Sequence, residues 1–305
     1  MTLALADEVR DAKAHGRPVV ALESSLLAHG LPHPRNLAVA AELEESVRAA
    51  GAVPATVAVL DGRPHIGLDK AQLERITEDG RLRRLGRRDL APAMAAGASG
   101  ATTLSGTAFL AAHAGIRVVA TGGLGGVHRG WPQAHDESAD LHLLARTRIT
   151  VVCAGVHSVL DVPATLQRLE TLGVSVLGYR TGTFPACCLA SSGEPVGWTV
   201  EDPRHIAAAM RAQDVLGGPD TALVVGNPVP AGEQLDPATH DRVLADALAA
   251  CERDGVTGQA VTPYLLDHLV RHTGGAAEEA VVAAVRGNVR LAARVAAVWT
   301  ATAHV

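Results

Sequence analysis

Aromatic residues are scarce in this chain. Three Trp, two Tyr and two Phe make up 2% of its 305 residues. Sequence-tolerant nucleic-acid binding relies on aromatic platforms set in a basic surface. Here Lys plus Arg is 27 against 32 Asp plus Glu, a formal charge of −5, so neither feature is present. Long apolar runs are missing as well, and none approaches the roughly 18 residues that a membrane helix needs. The four cysteines, Cys153, Cys187, Cys188 and Cys251, have neither zinc-motif nor disulfide-framework spacing. A reduced, cytoplasmic protein is expected, with the adjacent Cys187-Cys188 read as small packing residues rather than a redox pair. The opening segment carries Asp7 and Glu8 early and no basic stretch, so no signal peptide is expected. Lysine is the scarcest charged residue: only Lys13 and Lys70 occur.

What is present describes a globular α/β protein. A hydrophobic content of 48% with little net charge excludes disorder, and 31 Gly and 16 Pro scattered along the chain exclude collagen-like or coiled-coil architecture. Short β-type runs alternate with helical patterns. Pro18–Leu22, Pro54–Leu60, Arg117–Thr121, Thr150–Ala154, Val174–Leu177 and Ala222–Gly226 read as strands. Helices are expected over 3–14, 36–50 with Asn36 as N-cap, 69–78, 89–96, 104–113, 138–146, 162–172, 203–214, 237–254, 263–272 and 278–298. Asp61-Gly62 is a hairpin turn signal. Strands followed by 10–15-residue helices imply βαβ units and a mostly parallel sheet covered on both faces, with ligands beyond the carboxyl ends of the strands. No linker or repeat interrupts the chain, so one domain over 1–305 is expected.

The segments after strands carry the candidate chemistry. Gly122-Gly-Leu-Gly-Gly-Val-His-Arg-Gly130 offers backbone N–H groups and Arg129 to an anion, or is simply a flexible turn. It lacks the third glycine of a dinucleotide fingerprint. Arg81, Arg83, Arg84, Arg87 and Arg88 form a basic cluster, read either as a solvated face or as a bidentate anion site. His135-Asp136-Glu137-Ser138-Ala139-Asp140 fits hard-cation ligation or, equally, helix capping. Glu23 ends a strand, where burial would raise its pKa towards general-acid duty; the plainer reading is a capped strand end. His157 ends another strand, as a base or as a satisfied turn histidine.

Taken together, several segments resemble the pseudouridine-5′-phosphate glycosidases, also called the indigoidine synthase A-like family. They are Ala21–Ser24, His29-Gly30-Leu-Pro32, Gly51–Thr56, Leu60–Pro64, Ile66–Leu68, Arg87–Leu90 and Gly100–Thr103. They continue with Thr121–Gly130, Asp136–Leu141, Val151–Gly155, Ser158–Asp161, Asn227-Pro228 and Val261–Pro263. The resemblance implies a three-layer α/β/α fold, a homotrimer and Mn²⁺. The implied activity makes or breaks the C–C bond between C1 of ribose 5-phosphate and C5 of uracil. It places Glu23 as general acid and Asp136 as metal ligand. Substrate contacts would fall on Thr103, Leu104, Ser138, Ala139 and Asp140, with His128 and Arg129 in the matched glycine-rich stretch and Asn288 at a C-terminal site position.

Two departures stand out. The resemblance implies a lysine that attacks C1 and opens the sugar to an imine, yet the aligned position holds His157. A second, substrate-contacting lysine falls on Arg84. Arginine still binds an anion, but imidazole forms no neutral imine; a histidine can instead move a proton. The lost lysine tips the expectation towards a C-glycosynthase of natural-product biosynthesis that joins ribose 5-phosphate to an aromatic acceptor. The alternatives are a pseudouridine-5′-phosphate glycosidase using His157 non-covalently, and an inactive phosphosugar-binding protein.

Overall fold

A computed structural model describes residues 3–218 and 220–302. The backbone of its centre is dictated by short runs of Val, Ala and Leu that are buried on both faces, as strands of a covered parallel sheet are. In chain order all the strands of the sheet, central and peripheral, are β1 (Ala4–Leu5), β2 (Val19–Glu23), β3 (Val53–Leu60), β4 (Arg63–Ile66), β5 (Arg83–Leu85) and β6 (Gly100–Thr102). They continue with β7 (Val118–Ala120), β8 (Thr150–Cys153), β9 (Ser175–Tyr179), β10 (Thr199–Val200) and β11 (Leu223–Gly226). All eight residues of β3 are buried.

These strands form one sheet in the order β1-β4-β3-β2-β7-β8-β11-β9-β10, with β6 pairing both β3 and β5. Pairing is parallel except where β3 meets β4 and β6. The β3–β4 hairpin turns on Asp61 and Gly62, at φ 50° and 72°, the positive values a two-residue hairpin demands.

Helices cover both faces, giving the expected three layers. Val9, Leu104, Ala108, Leu141, Leu144, Leu169, Val243 and Leu265 bring helices to one side. Leu27, Val39, Leu43, Ile76, Ile206, Val285 and Val289 bring helices to the other. Burying each such Val, Leu or Ile contributes about 1.5–3 kcal/mol. The 26-residue helix Ala276–Ala301 spans the second face and is held to the helix Arg35–Ala49 by Arg35–Glu278 and Arg286–Glu42 ion pairs.

Several local expectations are corrected. Residues 3–14 do not form one helix: Ala4–Leu5 pairs with β4, and the helix starts at Asp7. Asn36 is not a cap but lies inside the helix Arg35–Ala49, where its buried amide donates to the carbonyls of Leu27 and Thr77. Part of the arginine cluster, Arg83–Leu85, is a strand, recruited by pairing with β6 rather than by its own propensity. Asp69 does cap the helix Lys70–Glu78, in a reciprocal box with Gln72.

Candidate active site

The adjacency β2-β7-β8 decides the site. Glu23 is the last residue of β2, the Gly122–Gly130 loop follows β7, and Gly155–Ser158 follows β8. Three segments far apart in sequence therefore open into one cleft beyond the carboxyl ends of neighbouring strands. The cleft has a volume of about 750 Å³, within the usual range for small-molecule sites.

Ser24 anchors the Glu23 end. Its hydroxyl donates to Val57 O at 2.6 Å and accepts from Thr102 N at 2.9 Å, tying β2 to β3 and β6. Because β5 pairs with β6, Arg84 stands opposite Ala101 and reaches the cleft wall, joined there by Arg88 and His29. No carboxylate pairs with Arg84 among the described residues. Thr103 precedes the helix Leu104–His113, and its hydroxyl lies 3.1 Å from Ser105 Oγ.

Asp140 organises the far wall. Its two oxygens accept from Ser105 N and Gly125 N, each at 3.0 Å, while Ser138 Oγ accepts from Asp140 N at 3.2 Å. The Gly122–Gly130 loop passes so close that a Cβ on Gly125 would press into Ser138 and stand 2.9 Å from Asp140 Oδ2. His128 is held between Asp136, at 3.6 Å from Nδ1, and Thr262, at 3.3 Å from Nε2.

His157 is fixed through its backbone: its N–H donates to Leu124 O and its carbonyl accepts from Leu160 N, both at 3.0 Å. Its ring edge packs over Gly123, where a Cβ would stand 3.4 Å from Cε1 and 3.1 Å from Cys187 Sγ. Among the described residues no hydrogen bond reaches either ring nitrogen, which leaves both for the contents of the cleft.

Both strand-end groups sit deep in the protein with one edge open to the cleft. Burial pushes the Glu23 carboxyl up to about 7, opposed by its hydrogen bond from Thr121 and reinforced by the charge of Asp140. Burial, with the positive charge of Arg84 adding to it, pushes the His157 imidazole down to about 4. Near neutrality the first can give a proton and the second can take one. Burial also lowers His29, again with help from Arg84, and raises Asp140 against the two backbone N–H groups it accepts from.

Of the residues singled out from sequence, Glu23, Arg84, Thr103, Leu104, His128, Asp136, Ser138, Ala139, Asp140 and His157 line the cleft. Arg129 and Asn288 do not. Arg129 binds the carbonyls of Val159 and Ser158 and so braces the His157 loop. Asn288 is fully buried, donates to Thr121 O at 2.8 Å and accepts from Asn227, bracing the strand end beneath Glu23. Arg88, from the basic cluster, lines the cleft as well, while Ser25, His29, Ser105, Leu160, Thr262 and Leu266 line it without having been singled out. His29 and Thr262 lay inside segments already matched to the family, the one signal that could have found them.

The Mn²⁺ expectation is corrected. Among the described residues no group of three or more His, Cys, Asp or Glu could hold a metal. The acidic segment is spent on protein contacts instead. Asp136 faces His128, Glu137 pairs with Arg168 at 3.0 Å, and both Asp140 oxygens accept backbone N–H groups. A hard divalent cation asks for several free oxygen ligands, so these residues do not fit one, and Asp136 is not assigned as a metal ligand.

The sequence matches the family described as "Indigoidine synthase A like protein" over residues 8–298. It is 68% identical over 292 residues to a pseudouridine-5′-phosphate glycosidase of Streptomyces griseus, covering 96% of this chain and 90% of the relative. To the protein of the same name from Frankia alni it is 56% identical over 293 residues, covering 96% and 81%. The structure superposes on the prealnumycin C-glycosynthase AlnA in complex with ribulose 5-phosphate with a TM-score of 0.92 and 36% identity, covering 100% and 99% of the two chains. An indigoidine synthase A-like protein of Thermotoga maritima gives 0.86 and 32%, covering 97% and 96%. These relatives overturn the expectation of C-ribosylation of an aromatic acceptor. Similarity to the C-glycosynthase is 36%, whereas proteins named as the glycosidase reach 68%.

Proposed function

From the premise that the chain belongs to the indigoidine synthase A-like family, we propose that it is a pseudouridine-5′-phosphate glycosidase, cleaving pseudouridine 5′-phosphate to uracil and ribose 5-phosphate. The observation that carries this reading is the 68% identity along nearly the whole chain to a protein of that name. The cleft supports it. Arg84 and Arg88 offer cations to a phosphate and Thr103 and Ser105 offer hydroxyls, while Glu23 stands at the floor as a protonated acid. A carboxyl near 7 suits protonation of a carbon leaving group, because at neutral pH much of it carries its proton.

The inactive-binder alternative is disfavoured by the same acid, since a pure binding site has no use for a buried carboxyl poised to give a proton. A single-domain homotrimer working in the cytoplasm belongs to the same proposal. Four free, buried cysteines support the reducing compartment. No helix among the described residues is long and apolar enough to cross a membrane.

The test is direct. Purified protein incubated with pseudouridine 5′-phosphate should release uracil, read as the change in ultraviolet absorbance and by chromatography. No uracil from correctly folded protein would overturn the proposal.

A further inference from the structure

The cleft contains no primary amine from a side chain. The only lysines are Lys13, whose Nζ binds Ala114 O, and Lys70, which is exposed beside Glu74. Neither lines the cleft. A sugar carbon held here therefore meets no lysine with which to form an imine. It meets Glu23 and His157, projecting from the ends of β2 and β8 on either side of β7. The imidazole nitrogens are unengaged among the described residues, in contrast to those of buried His240, which contact Ser158 and Asp241.

Resting on the glycosidase reading, we propose that this enzyme breaks the C–C bond by hydrolysis, without a covalent sugar–enzyme intermediate, and that His157 is the base that activates the attacking water. Glu23 gives its proton to C5 of the uracil ring, using the electrons of the ring double bond. The C1–C5 bond then breaks and its electron pair restores that double bond. The sugar is left as an oxocarbenium ion stabilised by the ring oxygen. Water attacks C1 while His157 takes one of its protons. One C–C bond is exchanged for a C–H and a C–O bond, one water is consumed, and nothing is oxidised or reduced. Transfer of the proton from the imidazolium to the Glu23 carboxylate through solvent resets the site. The division of labour is that of an acid and a base on either side of a glycosidic bond.

The surroundings suit each role. Arg84 faces both groups and keeps the resting His157 in the neutral form that a base must have before it acts. Cys187 lies against Gly123 beside the imidazole, and its thiol, pushed well up by burial, stays protonated and does not compete as nucleophile. His157 is in any case the wrong residue for an imine, whereas a neutral imidazole can accept a proton.

The experiment uses the full chain turning over pseudouridine 5′-phosphate in the presence of borohydride, followed by intact-protein mass spectrometry. The expected result is uracil release with no sugar adduct. Turnover with a trapped adduct overturns the non-covalent route while leaving the glycosidase reading intact, whereas absence of turnover strikes that reading itself. Replacing the base (H157A, with H157Q as a second variant, folding checked by circular dichroism) should lower kcat by about 10²–10⁴-fold with KM changed little. Azide, which needs no base, should restore turnover in H157A and yield ribosyl azide 5-phosphate. A folded H157A with wild-type kcat, or one that is inactive and forms no azide product, overturns the assignment.

Discussion

At the residue scale, the site is a pair of groups whose pKa values burial has moved in opposite senses, past each other. Glu23 is raised to about 7 and His157 lowered to about 4. In the proposed mechanism, catalysis by a protonated acid and a neutral base is lost as pH falls through the lower value, where His157 gains a proton, and lost as pH rises through the upper value, where Glu23 loses one. The kcat/KM profile of the free enzyme should be a bell with limbs near 4 and 7. Asp140, Arg84 and the Thr121 hydroxyl face Glu23, and Arg84 faces His157, so changes at these residues should move the limbs. E23Q should lower kcat by about 10²–10⁴-fold at every pH, and an E23Q variant that keeps the wild-type bell would remove Glu23 from the reaction. The identities of Glu23 and His157 and their places after apolar strands were legible in the sequence. The directions of their shifts were not, because desolvation depends on what other segments stack around a side chain.

At the element scale, the Gly122–Gly130 loop shows why a glycine-rich string is ambiguous until folded. The loop is pressed against Asp140 and Ser138, and space rather than flexibility demands the glycine at 125. G125A should push Asp140 off its two backbone donors, lower Tm through a loss of about 1–3 kcal/mol and depress kcat/KM. Gly232 is the control, because a Cβ there would meet nothing within 4 Å: G232A should leave both within error. Equal effects in the two variants, by thermal melt and steady-state rate, would show that packing at Gly125 is not what matters. The same logic separates the arginine cluster. Arg84 reaches the cleft because β5 pairs with β6, whereas Arg81 is exposed and paired with Asp79 on the outside. Charge counting could not distinguish them.

At the scale of the whole molecule, the proposed homotrimer should appear in light scattering at three times the chain mass. A monomer at micromolar concentration would remove that part of the proposal. The sequence by itself determined the covered parallel sheet, since Val- and Ala-rich strands alternating with amphipathic helices have few other ways to bury their apolar faces. Through ordered motifs it also determined the family, and it showed that no lysine occupies the position where an imine would form. Only the tertiary structure decided which strand ends are neighbours, that Arg84 and His29 join them, that Arg129 and Asn288 brace the site from outside the cleft, and that the acidic segment is consumed by backbone donors and ion pairs rather than left free for a metal. The reason is physical. Local pattern fixes the period and burial of an element, but strand order and the neutralisation of a charge are set by partners far away along the chain.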